Sequence, residues 1–223
     1  MKNKEVGRLR HLAIIADGNR RWANANGLPI NMGYIQGLTV IENCCHWAIQ
    51  NDIPYLTVYC FSTENWKRPK NEVSLLMDLA RWYFEDRREW YITAGIKVRF
   101  LGRRDRFDKD FIDKLEKMEK ATNEGTKVTL TICVDYGGRD EIARAVASGA
   151  KTEDDISAIL SGEVPDPDII LRTGGEQRLS NFLLWQSAYA ELFFSSVLFP
   201  ALEYKDLDAL LCEYACRKRN YGC

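Results

Sequence analysis

The 223-residue chain has no uninterrupted apolar run approaching the roughly 20 residues that span a bilayer. Its opening segment, MKNKEVGRLRHLAII, carries no long apolar signal core either. A soluble protein is expected, one still able to visit a membrane surface. Charge of one sign is also missing: Lys plus Arg total 31 against 32 for Asp plus Glu, so no global field draws nucleic acid. Nucleic acid is therefore not an expected partner, and any working positive charge must be local. None of the seven cysteines forms a CxxC pair, and their number is odd. Cys44 and Cys45 are adjacent, and Cys212 and Cys216, four apart on an expected helix, suit packing better than zinc. Reduced, buried thiols in a cytosolic protein are the expectation. Repeats and low-complexity linkers are absent, and residues 1–223 are read as one α/β domain able to bury a substantial core. Neither a GxxxxGK[ST] phosphate loop nor a dinucleotide glycine fingerprint occurs.

What is present is an alternation of strand-like and helix-like segments. Strands are expected at His11 to Ala16, Tyr55 to Phe61, Ile96 to Leu101, Lys127 to Val134, Asp168 to Arg172 and Ala190 to Phe194. Between them, helices are expected from Gly18–Trp22 to Asn26, then Gly37 to Gln50, Lys70 to Thr93, Asp108 to Glu124, Arg139 to Ser148, Thr152 to Leu160 and Leu207 to Arg219. Gly27 to Pro29 and Gly95 act as stops. Strands separated by helices imply right-handed crossovers and a mainly parallel sheet flanked by helices. In such a sheet, ligands bind beyond the carboxyl ends of the strands. Four polar loops follow strands there: Asp17 to Arg21, Ser62 to Arg68, Gly137 to Arg139 and Arg172 to Ser180.

The first loop has the chemistry of a phosphate site. Gly18 permits close backbone approach, the amides of Asn19, Arg20 and Arg21 open a helix whose positive end attracts phosphate, and Arg21 adds a charged donor. Asp17 is a poor phosphate neighbour unless a divalent cation stands between them, so it reads as a magnesium ligand; a helix N-cap is the alternative. In the last loop, Arg172 and Arg178 flank Gly174 and Gly175 and precede Ser180. They offer two forked cations and a hydroxyl to one polyanion, or else form surface salt bridges. Glu191, inside the apolar segment NFLLWQSAYAELFF, needs a partner, either an arginine or a shared metal ion.

Four segments, HLAIIADGNRRWA, CFSTENWKRPKNEV, VDYGGRDEI and IILRTGGEQRLSNFLLWQSAYAELFF, resemble the successive signature blocks of the cis-prenyltransferase family, most closely its bacterial undecaprenyl diphosphate synthase members. The likeness runs from His11 to Gly222. It implies magnesium-dependent, sequential condensation of isopentenyl diphosphate onto an allylic diphosphate such as farnesyl diphosphate, with new cis double bonds and release of pyrophosphate. A single α/β domain with an apolar tunnel is implied too, working as a cytoplasmic homodimer that releases a long, amphiphilic product toward the inner membrane for cell-wall glycan synthesis. By the same likeness Asp17 and Asn65 are catalytic, and Asp17 and Glu191 hold Mg2+. Gly18, Asn19, Arg20, Arg21, Trp22 and Tyr34 contact substrate, as do Ser62, Thr63, Glu64, Trp66 and Arg68 around Asn65. Arg172, Arg178, Leu179 and Ser180 clamp isopentenyl diphosphate. An amide is a weak base, so pyrophosphate is the other acceptor for the proton lost from C2. Glu72 resembles a further family carboxylate. One tunnel wall is expected on Ser74 to Trp90, with Leu75, Leu76, Leu79, Trp82, Tyr83 and Phe84, and the other on Leu56 to Cys60 and Leu130 to Ile132; plain core packing is the alternative. Cys60 and Leu130 favour a long product.

The chain departs from the family pattern in four places. Arg20 replaces a second glycine, and Ile30 to Tyr34 lack an arginine and a histidine, leaving Tyr34 as an uncharged donor. Asp135 replaces Asn, and Asn220 replaces Arg in the basic terminal motif RKRNYG. A short- or medium-chain synthase, or a noncatalytic support subunit, are the other readings; retention of Asp17, Asn65, Arg172, Arg178 and Glu191 opposes the latter. A trans-type synthase is excluded, because Asp154 and Asp155 are followed by Ile156, Ser157 and Ala158 and complete no DDxxD.

Overall fold

Five consecutive buried residues form β1 (His11–Ile15), and a strand buried on both sides must lie inside a sheet covered on both faces. The computed structural model describes residues 8–217. In it β1 is joined by β2 (Tyr55–Ser62), β3 (Ile96–Leu101), β4 (Val128–Tyr136), β5 (Ile169–Arg172) and β6 (Glu191–Phe194) in one sheet of order β3-β4-β2-β1-β5-β6. Every neighbouring pair is parallel, as expected for an α/β fold. After β4 the chain crosses β2 and β1 to add β5 on the far side. This reversal puts the topological switch point between β1 and β5, where ligands bind in such sheets.

Eight helices surround the sheet: α1 (Asn19–Ala25), α2 (Ile30–Gln50), α3 (Lys70–Asp86), α4 (Arg88–Ala94), α5 (Lys109–Thr122), α6 (Gly138–Ala147), α7 (Glu153–Ser161) and α8 (Tyr204–Cys216). Alternate strand residues build two cores. Leu12, Ile14, Leu56, Val58, Leu130 and Ile132 pack with α2, α3, α4, α5 and α8, whereas Ala13, Ile15, Tyr59 and Cys133 face a smaller cluster closed by Phe182 and Leu183.

Three element boundaries differ from the sequence reading. α2 begins at Ile30 rather than Gly37, because Gly33 serves packing inside the helix: a Cβ there would run into Asn19 O of α1. The single helix expected over Lys70 to Thr93 is two, broken at Arg87 (φ −97°, ψ −1°). Arg87 turns there to grip Glu42 of α2 with both arms, Nε to Oε1 at 2.7 Å and Nη2 to Oε2 at 2.8 Å. α8 starts at Tyr204, after a capping box made by Glu203 and Asp206. Its expected end at Arg219, with Lys218 to Gly222 of the basic terminal motif and Asn220, lies outside the described residues.

The six described cysteines are free. Cys44, Cys45 and Cys133 are buried as expected, but Cys60 is exposed to a cavity beside β2, and Cys212 and Cys216 are exposed because α8 buries the stripe Leu207, Leu210 and Tyr214 instead.

One buried polar residue makes the sheet acid-sensitive. His11 is 2% exposed, with Nδ1 2.7 Å from Pro165 O and Nε2 2.8 Å from Thr57 Oγ1. A carbonyl only accepts, so Nδ1 carries the proton and Nε2 accepts from the Thr57 hydroxyl. Burial lowers the His11 pKa from 6.5 to about 4. Below pH 6.5 the unfolded chain takes up a proton that the folded chain refuses, so stability is full above that pH and falls towards pH 4. This one group is expected to remove about 3 kcal/mol over that window. Urea unfolding of the wild type and His11→Asn at pH 7 and pH 4.5 checks it; parallel acid losses in both proteins would acquit His11.

Candidate active site

Asp17 follows the tip of β1, and Arg172 ends β5 opposite Ile15. The two side chains meet: Arg172 Nη2 donates to Asp17 Oδ2 at 2.7 Å, and Nη1 donates to Ser180 Oγ and to the Arg178 carbonyl, each at 2.6 Å. Arg21, one turn into α1, donates to Asp17 Oδ1 at 3.0 Å and to the Gly174 carbonyl at 2.7 Å. Thr173 closes the cluster from behind, accepting from Asp17 N at 3.0 Å and donating to Asp17 O at 2.8 Å. Burial pushes the Asp17 carboxyl upward, but the hydrogen bonds and charges of Arg172 and Arg21 outweigh it and hold the group below the usual carboxylate range. Gly174, at φ 84°, is required there, since a Cβ would stand 2.6 Å from Arg21 Nη2.

The N-cap alternative for Asp17 fails. Gly18 (φ 116°) occupies that position and no side chain caps α1. The first helical hydrogen bond runs from Trp22 N to Gly18 O, so the amides of Asn19, Arg20 and Arg21 have no carbonyl within the helix.

Those amides border a polar cavity lined by Asp17, Gly18, Asn19, Arg20, Arg21, Tyr34 and Arg68 among others. Glu72 organises its cations: Arg20 lies 3.6 Å from Oε2 and Arg68 3.1 Å from Oε1. Tyr34 sits between them, accepting from Arg68 and donating to Glu72, both at 3.1 Å. It thus brings no charge of its own but fixes a neighbour that has one.

Ala16, Asn19 and Tyr34 also line an adjoining apolar cavity, running between α2, α3 and strands β2 and β4. Leu76, Leu79, Tyr83, Phe84, Cys60 and Ile132 line it as expected. Leu75 and Trp82 instead face solvent, on the outer side of α3, while Leu56 and Leu130 are fully buried in the core beside the tunnel. A third wall, for which no tunnel role was expected, comes from α2 through Gly37, Leu38 and Ile41.

The remaining candidates divide. Ser62, Thr63, Glu64, Asn65 and Trp66 form a short 3-10 turn and its cap, in which Asn65 Oδ1 accepts from Ser62 N at 3.0 Å. Asn181, overlooked in the sequence, ties three loops together: Nδ2 donates to Glu64 at 3.0 Å, Oδ1 accepts from Arg139 N and its carbonyl from Gly138 N. Ser180, Asn181 and Leu183 all have positive φ, a concentration of strain that no sequence spacing announces. Trp66 belongs to the scaffold, its Nε1 donating to Asp135 at 2.8 Å while its ring packs on Phe61 and Phe107. Asp135 is accounted for by that bond and by its left-handed φ of 48°, which Asp and Asn tolerate. Trp22 does not line the polar cavity, Leu179 packs on the smaller core, and Arg178 is exposed beside Glu176.

Glu191 corrects the metal assignment. It opens β6 level with Ile169, and Leu12 is level with Ile169 on β1, so Glu191 lies at the amino edge of the sheet and Asp17 at the carboxyl edge. Within one chain they cannot share an ion. The partner of Glu191 is an arginine, Arg217, at 2.6 Å. Among the described residues no three His, Cys, Asp or Glu side chains gather as a metal cage. A single carboxylate beside a cation-lined polar cavity suits Mg2+, which binds through one or two carboxylates plus substrate phosphates.

Residues 15–222 match the family model described as "Putative undecaprenyl diphosphate synthase". The chain is 43% identical to an isoprenyl transferase of Aquifex pyrophilus over 95% of each chain. Among solved structures it is similar to lavandulyl diphosphate synthase from Lavandula x intermedia in complex with dimethylallyl diphosphate (TM-score 0.90, 30% identity, 97% of this chain and 99% of that one). It is also similar to a probable undecaprenyl diphosphate synthase from Campylobacter jejuni (TM-score 0.82, 31% identity, 96% and 99%).

The Gly174 geometry yields a direct test. Gly174→Ala is expected to cost about 1–2 kcal/mol of stability through its positive φ. By displacing Arg21 it should also weaken pyrophosphate binding about tenfold, read by titration calorimetry. Wild-type affinity in this variant would separate Arg21 from the anion site.

Proposed function

The chain belongs to the undecaprenyl diphosphate synthase family and is a cis-prenyltransferase, and from that premise we propose that it condenses isopentenyl diphosphate repeatedly onto farnesyl diphosphate to make a long-chain polyprenyl diphosphate. The undecaprenyl carrier of cell-wall glycan synthesis is the product we assign, and residues 1–223 act as one catalytic unit. The observation that carries this reading is the junction of a cation-rich cavity with an apolar one at Asn19 and Tyr34, a shape suited to a diphosphate head with a hydrocarbon tail.

In this reading the allylic diphosphate rests on the amides of Asn19 to Arg21 with Arg68 beside it, and its tail enters the space between α2 and α3. Asp17 is the residue that would hold Mg2+. When bound, the ion supplies neutralisation of charge on the departing pyrophosphate. Arg178 and Ser180 receive isopentenyl diphosphate, and Arg172 keeps Ser180 and Asp17 in fixed relation. Two anchored heads hold the attacking double bond near the allylic C1, a proximity effect. As the new C–C bond forms, the allylic C–O bond breaks, and the C2 proton passes to the released pyrophosphate. Asn65 is a positioning residue that shapes the turn carrying Ser62, Thr63 and Glu64 beside this step. Support for a homodimer comes from edge strand β6, which exposes Leu192 (38%) and Phe194 (40%) along an unpaired margin. Among the described residues no helix is long and apolar enough to cross a membrane, and the amphiphilic product supplies the peripheral contact we assign at the cytoplasmic face.

Incubation with radiolabelled isopentenyl diphosphate, farnesyl diphosphate and Mg2+, followed by chromatographic sizing, tests the reading. Extended product is expected from wild type. Asp17→Ala should lose turnover by at least about a hundredfold while substrate binding partly survives. A purified protein that extends no primer, with or without detergent, would refute catalysis; undiminished turnover in Asp17→Ala would refute the metal assignment. Ile41→Trp, which fills the tunnel, is expected to shorten the product, and an unaltered length would move the tail elsewhere.

A further inference from the structure

On the face of the sheet opposite the tunnel, a second, smaller cavity is lined by His11, Thr57, Arg99, Thr131 and Gln186, with an apolar cover that includes Leu160 and Pro167. Arg99, Thr131 and Thr57 are cross-strand neighbours on β3, β4 and β2, so their side chains stand side by side on one face. This row is level with Ala13, four residues before Asp17, well below the carboxyl edge.

Three polar atoms of these lining residues are buried without a partner: Arg99 Nη1, Thr131 Oγ1 and Gln186 Oε1. Gln186 is 5% exposed and Thr131 7%. Their hydrogen-bonding roles are constrained. Gln186 Nε2 donates to Glu141 at 3.1 Å, which leaves Oε1 as a pure acceptor. The Thr57 hydroxyl spends its proton on His11 Nε2, so Thr131 is the hydroxyl free to donate. Arg99 forms no ion pair among the described residues, and Glu163, which shares the Arg99 strand's neighbour Lys97, is bound to that lysine at 3.4 Å. Water can satisfy hydrogen bonds here but cannot balance a partly buried guanidinium.

We propose that this cavity is a second ligand site, taking a small oxoacid anion that retains one O–H. Its oxygens meet Arg99 Nη1 and the Thr131 hydroxyl, and its O–H donates to Gln186 Oε1. Hydrogen phosphate and a small hydroxycarboxylate share this chemistry. The site is independent of the prenyl-transfer assignment, since none of its residues touches the Asp17 cluster.

The test is titration of 15N-labelled full-length protein with inorganic phosphate, lactate and dimethyl phosphate, an anion with no O–H. The Gln186 side-chain amide and the Thr131 backbone amide are followed. Saturable shifts with phosphate, lactate or both are expected, and which anion binds more tightly identifies the source. Arg99→Gln and Thr131→Val, each checked for an intact fold, should weaken binding about tenfold or more, whereas Arg178→Ala, on the other anion site, should leave these shifts unchanged. Absence of saturable shifts, or equal affinity in both pocket variants, would reduce the cavity to a hydrated void and overturn the proposal. Dimethyl phosphate binding as tightly as phosphate would overturn the ligand class.

Discussion

The ion pair between Asp17 and Arg172 is the constraint on which the active edge depends. Arg172 is only 5% exposed at its side chain, and a charge so placed is costly unless paired and fully hydrogen-bonded. Asp17, Ser180 and the Arg178 carbonyl supply bonds to both Nη groups, leaving only Nε buried without a partner, and Arg21 supplies the second carboxylate oxygen of Asp17 with a partner. The result fastens the β1 tip, the start of α1 and the loop after β5 to one another. Because β1 and β5 are the strands at which the chain reverses direction across the sheet, the cleft opened by topology is also the one stiffened by charge.

Net charge conceals this arrangement. The whole chain carries −1, yet five arginines (Arg20, Arg21, Arg68, Arg172 and Arg178) gather around Asp17, Glu72 and Glu176. The carboxylates fix the guanidinium groups in place and leave a local cationic surplus for an anion that must later be released. Next to this surplus the wall turns apolar across Ala16, Asn19 and Tyr34, which line both cavities.

Most of the architecture was legible because buried parallel strands announce themselves as apolar runs and their loops as glycine with charge. All six strands, and the meeting of Asp17 with Arg172, followed from those signals. Helix boundaries were less legible where glycine had a packing role, as at Gly33, or where a distant partner broke a continuous pattern, as Glu42 does at Arg87. That Glu191 and Asp17 stand at opposite edges of one chain's sheet was not legible, because spacing along the chain says nothing about which edge a residue reaches; register decides that. Asn181 was missed for the same reason, since its three contacts come from segments up to 117 residues away.

The tie between Arg87 and Glu42 has a mechanical consequence. It ties the middle of α2 to the α3–α4 junction, and Tyr83, which lines the apolar cavity, reaches the same carboxylate at 3.0 Å. Any spreading of α2 from α3 must break this tie or leave Glu42 as its fixed point.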